Sequence, residues 1–338
     1  MKSVYNKIYI LAPYNHHTGG VELAHQLIHK LREFGQDAYV VYIKDLKISH
    51  DQSITAEYKK YNIQSTSLIE DTKDNLIVLP EIYFDFIRNF KNISIGCWWM
   101  SVDNRYKNCN LWDIILKSKN FRHKLSAIKH WKKYKANVSD SEIRQYQDRI
   151  THFYQSVYAM VHLYNTGFYK VAPLGDYINK SFILDGVSPS ISKENIVLYN
   201  PAKGYSFTKK IIDRNPDIQF IPLKGFSRSE LTEIMKKSKI YIDFGNFPGK
   251  DRLSREAASQ NNIIITGTLG ASGFYEDVPI PSKYKFEVKD NNISTISDMI
   301  HFALDNYEHI LPDFETYRST ILNEEKDFEN QIRKSFFV

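Results

Sequence analysis

Between residues 241 and 258 the chain reads Tyr-Ile-Asp-Phe-Gly-Asn-Phe-Pro-Gly-Lys-Asp-Arg-Leu-Ser-Arg-Glu-Ala-Ala. A strand-like run leads into a loop holding Gly245 and Gly249, and Lys250 and Arg252 stand just before and on the first turn of a helix. Backbone amides at a helix start point toward an anion, and the two cations add charge that the helix end alone lacks, so this stretch suits a phosphate. Glu256, one turn further, can accept hydrogen bonds from ribose hydroxyls. The bland alternative is a surface helix start with an Arg252–Glu256 ion pair, worth little.

Two other junctions repeat the theme. Asn-Pro-Ala-Lys203-Gly204 puts a lysine beside a glycine where it can pair with a diphosphate, and Gly225 follows Pro-Leu-Lys at the next junction, open to a base or ribose. Near the start, Thr18-Gly19-Gly20-Val21-Glu22 lets a backbone pass close to a ligand at a helix N-terminus. It is not the three-glycine dinucleotide pattern, which argues against a nicotinamide enzyme. Glu81 and Asp103 are the candidate general bases. Trp98 and Trp99, with Asn104 and His16 nearby, make a candidate sugar platform of stacking rings and polar groups. Strand alternation points the two tryptophans to opposite faces, so both belonging to the core is the less favoured arrangement.

These residues fall at the ends of strands in two halves with one grammar. In the first half a strand over 4–11, a loop over 12–20, a helix over 21–34 stopped by Gly35 and a strand over 38–43 make the opening unit of a doubly wound parallel sheet. Further strands are expected over 75–79, 93–97 and 159–163. The second half restarts at 196–199, followed by a helix over 207–214 and a strand over 218–222. It continues with a helix over 229–237, a strand over 240–244, a helix over 253–260 and a strand over 263–266. The Pro-, Gly- and Ser-containing stretch 172–193 reads as the linker, and the chain from 293 onward is helical in pattern. Two open sheets of this kind are expected to put their strand C-terminal edges on a shared cleft.

Composition narrows the class. The 338 residues suit two domains, and 42% hydrophobic with 25% charged residues is globular. Cys97 and Cys109 have no metal-ligand spacing and read as reduced thiols. The net charge of +6 is concentrated in 117–135, which holds eight Lys or Arg, so the remainder is near neutral and nucleic acid is not an expected partner. Phe121, Leu125, Ile128 and Trp131 form an apolar stripe in that stretch, suited to an interfacial helix on an anionic membrane surface. No apolar run is long enough to span a bilayer, and the opening strand-like run is too short for a signal peptide. The expected location is cytoplasmic, peripheral on the inner face of the membrane.

Taken together, Gly-Gly-Val at the first junction, Lys-Gly after the first strand of the second half, and Arg-Glu-Ala-Ala before a strand ending in Thr-Gly resemble the GT-B glycosyltransferases. The likeness is to family 4, the group 1 glycosyl transferases, over residues 8–270 and strongest from 195 onward. It implies an α/β GT-B fold of two Rossmann-like doubly wound parallel-sheet domains facing a central cleft, with C-terminal helices. The expected domains are 1–175 on the acceptor side, 190–310 for the nucleotide sugar, and a helical tail, 311–338, packing back on the first. By the resemblance, Gly19 and Gly20 approach the donor diphosphate or the acceptor, Lys203 binds phosphate and Glu256 holds the ribose. The family usually carries a glutamate at the position of Pro248, so its stereochemical outcome does not transfer; the Pro-Gly-Lys-Asp-Arg variant is similar to a subgroup among bacterial surface-polysaccharide enzymes. The implied activity is transfer from a nucleoside diphosphate sugar to a glycan or lipid-linked acceptor. With no Asp-x-Asp motif, neither metal nor cofactor is expected. A nucleotide-sugar epimerase and a catalytically silent glycan- or lipid-binding partner protein are the alternatives.

Overall fold

The computed structural model describes residues 2–107, 138–184 and 192–338; the basic stretch 117–135 and Cys109 lie outside the described residues. The chain divides into two compact units, Met1–Gly175 with Phe328–Val338, and Asp176–Asp327. The stretch 311–338 is thus shared between them.

Unit 1 contains β1 (Lys7–Pro13), α1 (Gly19–Glu33), β2 (Asp37–Lys44), β3 (Lys47–Ile48), β4 (Gln64–Ser65), β5 (Leu76–Pro80), β6 (Ser94–Trp99), α2 (Val102–Lys107), α3 (Asp140–Arg144), β7 (Ile150–Tyr154), α4 (Val157–Asn165) and β8 (Val171–Pro173). They form an eight-stranded sheet in the order β3-β2-β1-β5-β6-β7-β8, with β4 on β2. Every pairing is parallel except β2 with β3. The interior of β1, and all of β5, is buried, as expected of parallel strands covered on both faces. Leu23, Ala24, Leu27, Ile28 and Leu31 bury one stripe of α1, and Gly35 at φ +82° closes the helix as its left-handed stop. The stretch 159–163, expected as a strand, is instead part of α4. The hydroxyl oxygen of Ser156 accepts from the Ala159 amide and caps that helix.

Unit 2 contains α5 (Lys180–Leu184), β9 (Glu194–Tyr199), α6 (Tyr205–Arg214), β10 (Gln219–Pro222), α7 (Arg228–Lys237), β11 (Ser238–Asp243), α8 (Arg252–Ser259), β12 (Ile263–Gly267), β13 (Lys285–Phe286), α9 (Ile293–Asp305), α10 (Tyr307–Ile310) and most of α11 (Glu315–Phe336). Its five strands are all parallel in the order β10-β9-β11-β12-β13. Ser227 and Glu230 form a reciprocal capping box that fixes where α7 begins.

In both sheets the strand order reverses beside the first strand. The crevice beyond the strand C-terminal ends at such a reversal is where open α/β sheets bind ligands. In unit 1 the reversal lies between β1 and β5, and in unit 2 between β9 and β11.

Among the described residues, no helix is long and apolar enough to cross a membrane.

Candidate functional site

The reversal point of unit 2 joins two loops by direct backbone packing. Gly204 sits at φ +65° at the N-cap of α6, and a Cβ there would meet the Gly245 amide nitrogen at 2.6 Å. Gly245 in turn leaves room for the aliphatic stem of Lys203, which a Cβ would strike. Glycine at both positions is therefore a packing requirement. The lysine lies where sequence placed it, in the loop after β9, with its Nζ 3.8 Å from the centre of the Phe247 ring.

Its charge is already engaged. Lys203 Nζ lies 2.5 Å from Asp251 Oδ2 and 3.2 Å from Asp243 Oδ2. Asp243 is 1% exposed and accepts from the Tyr241 hydroxyl at 3.0 Å and the Gly245 amide at 2.9 Å. Burial pushes its carboxyl up to about 6 against the pull of Lys203, with Asp251 adding to the rise. Asp251 also caps α8, its Oδ1 accepting from the Leu253 amide at 3.0 Å. Sequence reasoning assigned neither carboxylate a role. Asp251 could have been found as a favoured cap residue directly before a helix.

On α8 itself, Arg252 Nε lies 3.7 Å from Glu256 Oε1. Glu256 is buried, and burial raises its carboxyl above the usual range despite the nearby arginines. Lys250 is half-buried in the preceding loop, while Gly225, at φ +81° after β10, is exposed with open space where a side chain would be. Lys203, Gly204, Gly225, Lys250, Arg252 and Glu256 thus share one edge of one sheet. Arg255 does not belong with them. It is 1% exposed and bonds to Asp176 through two contacts (3.0 and 2.6 Å) and to Glu324 at 2.8 Å, inside the unit.

In unit 1, Gly19 and Gly20 form the exposed first turn of α1, and a Cβ on Gly20 would touch Met100 Sδ at 3.4 Å. Glu81 follows β5 directly and accepts from the Met100 amide at 3.3 Å, so Gly20, Met100 and Glu81 meet at the reversal of this sheet. Burial pushes the Glu81 carboxyl up to about 7 against the Glu81, Met100 and Ser101 amides that favour its ionised form. A carboxyl poised there can take up a proton near neutral pH. Asp103 is half-buried and accepts from the Tyr158 hydroxyl at 3.3 Å, and the Asn104 amide donates to Ser101 Oγ at 3.3 Å. His16 is exposed, its Nδ1 donating to the Tyr14 carbonyl at 2.8 Å.

Trp98 and Trp99 are not a sugar platform. They end β6 instead of following it, and both are 0% exposed. Their indole N–H groups donate to the Leu174 carbonyl at 2.9 Å and to His152 Nδ1 at 3.0 Å. Alternation does send them to opposite faces, but this parallel sheet is covered on both, so both faces are core.

The histidine under Trp99 carries a testable consequence. Burial pushes His152 down from 6.5 to about 3, and His25 likewise to about 4. Each stays neutral in the folded chain while its unfolded counterpart takes up a proton below 6.5, so the stabilisation present above 6.5 is lost as pH falls. Replacing His152 by asparagine should flatten the decline of Tm between neutral and acid pH relative to wild type. Parallel Tm–pH curves for the two proteins would contradict this.

No protein-family model matches the sequence, and no curated protein matches it either. Solved structures do. Anabaena HepE in complex with UDP is similar at a TM-score of 0.63 with 9% identity, over 97% of this chain and 99% of that one. A glycosyltransferase from Rickettsia africae reaches 0.60 with 12% identity over 97% and 98%. Sucrose-phosphate synthase from Thermosynechococcus elongatus reaches 0.57 with 10% identity over the same shares. The chain has the α/β fold of the GT-B glycosyltransferases across nearly its whole length.

Proposed function

We propose that the protein is a glycosyltransferase that moves a sugar from a nucleoside diphosphate donor to a glycan or lipid-linked acceptor, without a metal ion. The observation that carries this reading is the edge of unit 2. There Lys203 and Gly204 pack through Gly245 against the loop that starts α8, and Lys250, Arg252 and Glu256 follow within that loop and helix. Cations and helix-start amides suit a leaving diphosphate, and Glu256 suits the ribose. Similarity to a structure solved with UDP supports the same donor class. Gly19, Gly20 and Glu81 at the reversal of unit 1 make the acceptor side, with Glu81 the better base candidate because burial holds its carboxyl near neutral pH. The finer reading, family 4 and surface-polysaccharide synthesis, rests on the sequence resemblance.

Thermal shift with a panel of nucleoside diphosphates and the matching nucleosides tests the donor site. A ligand held by the folded state raises Tm by mass action, so one diphosphate should stand out above its nucleoside. Equal and negligible shifts for every pair would remove the reading. Contact with an anionic, cytoplasm-facing membrane through 117–135 is part of the proposal and rests on the eight basic residues and the spaced apolar residues of that stretch. Sedimentation with anionic vesicles, lost at high salt, is expected; indifference to vesicle charge would discard it.

A further inference from the structure

Lys203 is the donor-site cation in the reading above, yet two carboxylates neutralise it within the protein. Its position is fixed. The stem lies against Gly245, and the ammonium lies over the Phe247 ring. A phosphate must therefore come to the lysine and compete with the two carboxylates there, and a carboxylate free to move can give way.

The two differ in their freedom to do so. Asp243 lies at the end of β11, fully buried and fixed by the Tyr241 hydroxyl and the Gly245 amide, and a strand end locked on both sides has nowhere to go. Asp251 stands at the open start of α8, with a side chain 17% exposed beside a lysine 21% exposed. Its two oxygens are divided between Lys203 and the Leu253 amide, a cation and a helix-start N–H. These are the kinds of partner a phosphate takes.

We propose that Asp251 is an internal anion that occupies the phosphate position on Lys203 and the start of α8, and that a donor diphosphate binds by displacing it. This rests on the donor-site reading. Asp251 then sets affinity and selectivity: a ligand must offer at least as strong an anion at that point, and a neutral or weakly charged group cannot compete. The displaced carboxylate also stays near the bound phosphate as a like charge, which favours release of the nucleotide.

The sign of the resulting prediction is unusual for a binding site, because deleting a polar residue should tighten binding. Asp251→Asn keeps an acceptor for the helix cap and removes the charge. Titration calorimetry with UDP, GDP, ADP and CDP identifies the diphosphate bound by the wild type. That ligand and its nucleoside are then measured against Asp251→Asn, Lys203→Met and the double variant, with Asp251→Ser as a second cap-preserving substitution should the first fail to fold. The expected result is about a tenfold gain in diphosphate affinity in Asp251→Asn, no change for the nucleoside, and no gain in the Lys203→Met background. Diphosphate affinity no tighter in Asp251→Asn and Asp251→Ser than in the wild type would overturn the displacement and leave the donor site standing. A gain that persists without Lys203 would overturn it too, because Asp251 would then act through another group. If neither the wild type nor the Asp251 variants bind any of the four diphosphates, both the displacement and the donor-site reading fall.

Discussion

Arg255→Met should cost unit 2 about 3–5 kcal/mol, because it strands two carboxylates in the interior. Arg255, Asp176 and Glu324 are all buried, and the guanidinium makes two contacts to Asp176 and one to Glu324. Burial pushes the Asp176 carboxyl up, but the charge and hydrogen bonds of Arg255, with Lys250 and Arg252 adding to the pull, together hold the group below the usual range. Without the arginine, both acids must take up protons or draw in water. Urea unfolding followed by circular dichroism gives the loss, and hydrogen exchange of the α8 amides places it. A companion variant with Asp176→Asn and Glu324→Gln added should recover much of the loss, since the penalty belongs to the stranded charges and not to the missing cation. A loss below about 1 kcal/mol for Arg255→Met alone, the range of an exposed pair, would show that these groups are solvated in solution.

Glu256→Ala should weaken the donor nucleotide by about 1.5–3 kcal/mol, the worth of a lost hydrogen bond to a charged group. The carboxylate is buried one turn into α8 beside Arg252, and its raised pKa adds a second signature. The ionised form is the better acceptor for ribose hydroxyls, so wild-type affinity should decline on acidification as Glu256 takes up its proton. That part of the pH dependence should vanish in Glu256→Ala. Calorimetry on the folded variant checks both. Unchanged affinity and an unchanged pH profile would take Glu256 out of the ligand site.

The fold was legible wherever periodicity and punctuation agreed. The β1–α1–β2 unit shows an apolar strand, a helical stripe and Gly35 at the stop, and the structure has each of them. The run 159–163 was misread because a short apolar stretch looks alike as a buried strand or helix; the deciding signal was the Ser156 cap just before it. Trp98 and Trp99 were misread for a different reason. Alternation gives their directions, but it takes the elements packed over both faces of the sheet, which leave each ring 0% exposed, to make both of them core.

At the candidate site, glycines and cations at strand ends are read locally, which is why Lys203, Gly204 and Arg252 stand out as candidates, and the fold brings them to one sheet edge. Arg255 stands on the same helix, but its partners lie 79 and 69 residues away in sequence, and no local pattern encodes such pairings. Asp243 and Asp251 were passed over because their importance lies in closing on Lys203, a contact made across two separate loops.

The central claim is sugar transfer, and turnover tests it most directly. The purified chain would be incubated with a panel of nucleoside diphosphate sugars in EDTA, with and without bacterial lipid extract and oligosaccharides. Released nucleoside diphosphate and the mass of the acceptor would be followed together. The account predicts that one donor releases its nucleoside diphosphate while an acceptor gains the mass of one sugar residue, with the chelator present. A folded chain that consumes no donor with any acceptor, in EDTA or with magnesium or manganese supplied, would contradict it.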